Sequence, residues 1–125
     1  MTLRIALIGT GAVGRGILEA MTRKDLGIVL TGVADSRSGL IHPDGLIPAD
    51  LIHRKRETGL VGDVSCTAHD VVFKAPYDVL VEVSPTDATS GEPATTYMRT
   101  ALSRGCHVVT SNKGPVALYY HELKE

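Results

Sequence analysis

The segment Leu7-Ile8-Gly9-Thr10-Gly11-Ala12-Val13-Gly14 constrains this chain more than any other, because three glycines at G-x-G-x-x-G spacing stand between a strand pattern and a helix pattern. Arg4-Ile5-Ala6-Leu7-Ile8 is short and mostly apolar, as a central parallel strand covered on both faces must be. Val13, Ile17, Leu18 and Met21 then recur at helical spacing, which predicts an amphipathic helix from about residue 12 to 24. Each glycine has a separate task. Gly9 permits the tight turn out of the strand, Gly11 lets backbone amides approach a pyrophosphate, and Gly14 allows the helix to pack closely on the strand. Strand, turn and helix together read as the opening of a dinucleotide-binding βαβ unit, with Gly9, Thr10, Gly11, Ala12, Val13 and Gly14 around the phosphates.

The remaining sequence agrees with a small-molecule binder. A length of 125 residues suits one domain, and 43% hydrophobic with 22% charged residues is an ordinary globular balance. A net charge of −1 gives no electrostatic case for a nucleic-acid or anionic-membrane partner. No apolar run approaches membrane-spanning length, and no charged leader with a long apolar region precedes the first strand. Cys66 and Cys106 belong to no C-x-x-C pair or Cys/His cluster, so they read as small buried residues, no metal site is expected, and a reducing cytoplasm is the expected location.

Ile28-Val29-Leu30-Thr31-Gly32-Val33-Ala34 is rich in β-branched residues and predicts a second strand ending at Asp35. Asp35 follows Gly14 by 21 positions (35 − 14), where an acidic residue can bond the adenosine ribose 2′-hydroxyl and so favour NAD. Arg37 argues the other way, since a guanidinium there could grip the 2′-phosphate of NADP, and Lys55 in the cluster Arg54-Lys55-Arg56 could reach the same group. The cofactor is therefore NADP or NAD, with the balance toward NADP. Between these residues, Gly39, Pro43, Gly45, Pro48 and Gly59 punctuate an elaborated excursion from Ser36 to Gly62, with turns around short apolar pieces and a short helix from Pro48.

Beyond it the alternation resumes. Thr67 to Lys74 predicts a brief helix, Asp78 to Val83 a strand, Pro93 through Leu102 a helix stopped at Gly105, and His107 to Thr110 another strand. Such alternation predicts an α/β fold: a Rossmann-type, doubly wound, mostly parallel sheet with helices on both faces. Ligands lie beyond the carboxyl ends of such strands, which places Ser84, Pro85 and Thr86, and then Ser111 and Lys113, on the cofactor. Glu82 reads as a satisfied structural or cofactor-side carboxylate, and none of the five histidines has a motif partner.

In the glycine turn, in Val81-Glu82-Val83-Ser84-Pro85-Thr86 and in Gly105-Cys106-His107-Val108-Val109-Thr110-Ser111-Asn112-Lys113-Gly114-Pro115, the chain resembles the nucleotide-binding domain of homoserine dehydrogenases. The third segment is the most specific. The resemblance implies an NAD(P)-dependent reduction of L-aspartate 4-semialdehyde to L-homoserine, a step toward threonine and methionine. It also implies that Lys113 is the catalytic residue at the junction of nicotinamide and aldehyde.

In that family a substrate domain follows, whereas these residues stop at Glu125 within a helical pattern. The expectation is a single NAD(P)-binding Rossmann domain over 1–125, with the substrate domain absent and the isolated chain inactive. Unfilled sheet edges would favour a homo-oligomer. The remaining readings are a stand-alone NAD(P)-binding or redox-sensing module without catalysis, and an aspartate dehydrogenase-like oxidoreductase on the same fold.

Overall fold

A computed structural model describes residues 2–25, 27–84 and 92–111. In chain order the elements are β1 (Leu3–Ile8), α1 (Ala12–Arg23), β2 (Ile28–Ala34), β3 (Gly39–Leu46), α2 (Pro48–Thr58), α3 (Ala68–Lys74), β4 (Val79–Glu82), α4 (Ala94–Ser103) and β5 (His107–Thr110). The strands form one sheet in the order β3-β2-β1-β4-β5. β2, β1, β4 and β5 are parallel, and β3 alone runs antiparallel to β2.

The period of two along β1 explains the layers. Ile5 and Leu7 pack with Leu18 of α1 and Leu51 of α2, while Ala6 and Ile8 pack with Val71 and Val72 of α3 and Ala101 of α4. All four β1 residues are buried, so the run must be apolar throughout and cannot alternate with polar residues. A fully buried leucine such as Leu7 contributes roughly 1.5–3 kcal/mol. The doubly wound Rossmann-type reading is the fold observed.

Register between β1 and β2 slips once. Ile5 faces Leu30 but Ala6 faces Gly32, which leaves Thr31 as the extra residue of a bulge. The buried Thr31 hydroxyl donates to the Pro76 carbonyl at 2.6 Å, so the side chain of the bulged residue is satisfied. Its consequence is that Leu30 and Val33, three positions apart, share the α1/α2 side of the sheet.

The excursion from Ser36 to Gly62 is more regular than its punctuation predicts. It holds the helix from Pro48, as expected, but also the strand β3, where the sequence predicts turns. Pro43 and Gly45 argue against a strand interior, and such residues are tolerated only at an edge or a bulge. β3 is both. It lies at the edge of the sheet, and its pairing with β2 jumps from Gly32↔Ile41 to Leu30↔Leu46, so His42 to Gly45 bulge out of the ladder.

On the other face, Thr67 and Asp70 form a reciprocal capping box that starts α3. The Arg104 guanidinium donates to the carbonyls of Val72 at 2.8 Å and Ala75 at 2.9 Å, where a positive charge suits a helix C-terminus. This clamp ties the end of α4 to α3 and so fixes the rear wall of the site.

Candidate dinucleotide site

Strand order reverses at β1, whose neighbours β2 and β4 lead to helices on opposite faces, and a ligand crevice is expected beyond the strand ends at such a point. A cleft of about 890 Å³ opens there. One wall consists of Ile8 to Val13, Asp35 and Ser36, Lys55, and Val83 with Ser84. Thr67, Ala68 and His69 at the start of α3, with Pro93 and Tyr97 of α4, complete it.

The glycine turn is shaped by backbone alone. Gly9 has φ +105°, and a Cβ on it would stand 2.6 Å from the Ser84 amide nitrogen. A Cβ on Gly14 would overlap the Gly9 carbonyl, so α1 can approach the end of β1 only with glycine there. Gly11 is different: nothing lies within 4 Å of where its Cβ would be. Gly11 is also the N-cap of α1 and provides no side-chain cap, and the first turn of α1 holds no acidic residue. The first amides of the helix are thus left for an external acceptor, and a pyrophosphate fits that cradle in size and charge.

Beside the turn, Val83 N–H donates to the Ile8 carbonyl at 2.9 Å. The wholly buried Glu82 accepts at Oε1 from both the amide (2.8 Å) and the hydroxyl of Ser84. Ser84 is therefore fixed against Gly9, with Glu82 as its buried partner. Tyr97 stands nearby; burial pushes its phenol upward, and the charges of Glu82 and Glu92 push in the same direction.

At the end of β2 the Asp35 carboxylate collects donors. Oδ1 accepts from the amides of Arg37 (2.8 Å) and Ser38 (2.7 Å) and from the Ser38 hydroxyl (3.0 Å). Oδ2 accepts from Lys55 Nζ and the Val61 amide, each at 2.8 Å. Burial pushes the acid upward, but Lys55 and the surrounding N–H and O–H donors outweigh it and hold the group well below the usual carboxylate range.

Among the expected cofactor residues, Gly9, Thr10, Gly11, Ala12, Val13, Asp35, Lys55 and Ser84 meet on the cleft, with Gly14 buried beneath the turn. Arg37 does not join them. Its guanidinium donates to the Gly59 carbonyl at 3.2 Å, over the C-terminal end of α2. Ser111 is exposed, and its amide donates to the Glu82 carbonyl at 3.3 Å. Pro85, Thr86 and Lys113 lie outside the described residues.

Two further groups stand at the site. Thr67, His69 and Tyr97 form the far wall, and only the Thr67-x-x-Asp70 capping pattern gave a local sign of that helix start. Arg15, which no sequence pattern singles out, and Arg56 of the basic cluster around Lys55 line, with Thr10 and Lys55, a separate notch of about 130 Å³ between α1 and α2. Cys66 and Cys106 are free thiols and only partly buried, where full burial was expected. Among the described residues no His/Cys/Asp/Glu group could hold a metal, and no helix is long and apolar enough to cross a membrane.

A doubly wound sheet carrying this glycine turn, an uncapped helix start and a cleft at the reversal of strand order defines a dinucleotide-binding domain of the Rossmann class. Within that class, residues 9–125 match the family described as the homoserine dehydrogenase NAD-binding domain, and the chain belongs to that family. An NAD(+)-dependent homoserine dehydrogenase from Pseudomonas canavaninivorans is 35% identical over 97% of this chain and 38% of its own length. The crystal structure of homoserine dehydrogenase from Thermoplasma acidophilum superimposes with a TM-score of 0.86 at 31% identity, over 99% of this chain and 39% of that one. A hyperthermophilic archaeal homoserine dehydrogenase mutant in complex with NADPH gives a TM-score of 0.77 at 26% identity, over 98% of this chain and 40% of that one. The chain spans about two-fifths of the length of the first curated relatives it matches.

Proposed function

We propose that this chain is the cofactor-binding part of an NAD(P)-dependent homoserine dehydrogenase, which reduces L-aspartate 4-semialdehyde to L-homoserine toward threonine and methionine. The observation that carries the reading is the cradle: Gly14 has no room for a Cβ, and above it the uncapped α1 N-terminus opens onto a cleft of ligand size. A bound nicotinamide dinucleotide supplies the hydride. The α1 amides bind its pyrophosphate, and Ser84, held by Glu82, orients the nicotinamide half. Lys113 holds a proton at its Nζ for the oxygen that becomes an alkoxide, a role that rests on the family resemblance of the Ser111–Pro115 segment.

The chain spans about two-fifths of the length of its relatives, and the family resemblance assigns the contacts to the amino-acid portion of the substrate to the remainder. A preference for NADP over NAD is supported by Lys55, which faces the cleft, and by Arg15 and Arg56 beside it. A cytoplasmic location suits the free thiols.

The test has two arms. Titration of the full-length protein with NADPH and NADH, read by cofactor fluorescence, is expected to show binding of both, with NADPH tighter. NADPH oxidation is then compared with L-aspartate 4-semialdehyde and with oxaloacetate plus ammonium; the first is expected to proceed. Failure to bind either nucleotide, or turnover only with oxaloacetate, overturns the reading.

A further inference from the structure

A carboxylate at the end of β2 is ordinarily the acceptor for the adenosine ribose hydroxyls, and there it disfavours a 2′-phosphate. That role needs free lone pairs facing the cleft. Asp35 has none to offer: a carboxylate has about four lone-pair sites, and five donors from Arg37, Ser38, Lys55 and Val61 already converge on its two oxygens. The side chain is 4% exposed, so a diol could reach it only by displacing these bonds.

What the carboxylate does hold is Lys55. An ammonium has three N–H donors, and Asp35 takes one, leaving two for other acceptors. Lys55 is 35% exposed and stands on both the cleft and the neighbouring notch, which Thr10, Arg15 and Arg56 share with it. The notch lining holds three cations and no carboxylate. A free lysine spreads over many rotamers, and one tied at its tip to a buried group presents its charge in a single place.

We propose that Asp35 is a positioning residue for selectivity: it fixes Lys55 at the wall between cleft and notch, and so favours a 2′-phosphorylated dinucleotide instead of excluding one. The inference rests on the nucleotide-binding reading above and reverses the sign that the sequence position of Asp35 implies.

The test is the ratio of NADPH to NADH affinity in the full-length protein and in its Asp35→Asn, Lys55→Met and doubly substituted forms. Asp35→Asn is expected to lower the ratio roughly tenfold, the scale of one lost charge-assisted hydrogen bond. Lys55→Met is expected to lower it by a similar or larger factor. The double variant should fall no further than Lys55→Met, because the carboxylate acts through the lysine. A ratio that rises in Asp35→Asn makes Asp35 a ribose ligand and overturns the proposal, and so does additivity in the double variant. Lys55→Met keeps the test open if Asp35→Asn does not fold, since an unchanged ratio there overturns the proposal on its own. Absence of binding of either nucleotide by the unsubstituted protein overturns the nucleotide reading and this inference together, whereas a wrong-signed ratio overturns the inference alone.

Discussion

At the β1–α1 end of the cleft the chain builds its site from backbone, whereas at the β2–α2 end it builds from a carboxylate that gathers donors from Arg37, Ser38, Lys55 and Val61. The first end is mostly local: six consecutive residues, Gly9 to Gly14, form the turn, and its one distant constraint is the Val83–Ser84 backbone against Gly9. The second is assembled over 26 positions, and the direction in which Asp35 points depends on where α2 and Val61 come to rest. Steric exclusion shapes the first and satisfied polar groups shape the second, so the two ends should fail in different ways.

The largest effect should come from Gly14→Ala. The new methyl meets the Gly9 carbonyl, backbone against backbone, so α1 must shift and the protein should lose about 3 kcal/mol of stability. Binding of NADPH and NADH should fall together, without a change in their ratio, which denaturant unfolding and fluorescence titration would reveal. Loss of one nucleotide alone would break the distinction between the two ends.

Asp35→Asn should rank next, at roughly 1–3 kcal/mol, because the amide returns a donor to a site that supplied only donors. The pH dependence of the parent protein exposes the same group. Its pKa in the folded state lies below the ordinary 3.8. The stability it contributes is therefore fully present above the unfolded value and is lost as pH falls toward the folded one. Urea midpoints should drop as the pH is lowered beneath about 4, and they should drop less in Asp35→Asn. Equal acid sensitivity in both proteins would remove Asp35 from the account.

This asymmetry also explains what could be read without the structure. The apolar strand β1, the helical spacing of Val13, Ile17, Leu18 and Met21, and the glycine spacing are contiguous patterns, so the fold class and the phosphate cradle follow from them. β3 was hidden because Pro43 and Gly45 look like turn residues until the strand is known to be a bulged edge. The orientation of Asp35 was hidden for a related reason: its position after β2 is a sequence fact, but its partners Lys55 and Val61 are tertiary ones. Arg37 shows the same limit, since the cation nearest the expected phosphate in sequence is spent on the Gly59 carbonyl.

Gly11→Ala divides the first end internally. A methyl there meets open space, and exchanging glycine for alanine at an N-cap should cost only about 1 kcal/mol. Both nucleotides should nevertheless bind more weakly, because the methyl lies where a pyrophosphate must approach the amides. A variant that unfolds at nearly the parental denaturant concentration but no longer enhances cofactor fluorescence would separate the binding glycine from the packing glycine.

The smallest effect tests whether charge near α2 matters in general or only through Lys55. Arg54 pairs with Asp63 at 3.2 Å, one position from Lys55, but the two side chains are 41% and 63% exposed. Solvent screens such a pair, so Arg54→Ala should cost about 0.2–1 kcal/mol. Arg54 lines neither the cleft nor the basic notch beside it. The NADPH to NADH ratio should therefore stay within about twofold of the parent, since a screened charge outside the site shifts binding by only tenths of a kcal/mol. A fall in the ratio as large as that in Lys55→Met would mean that selectivity comes from the summed positive field of α2, and the buried carboxylate would lose its special place.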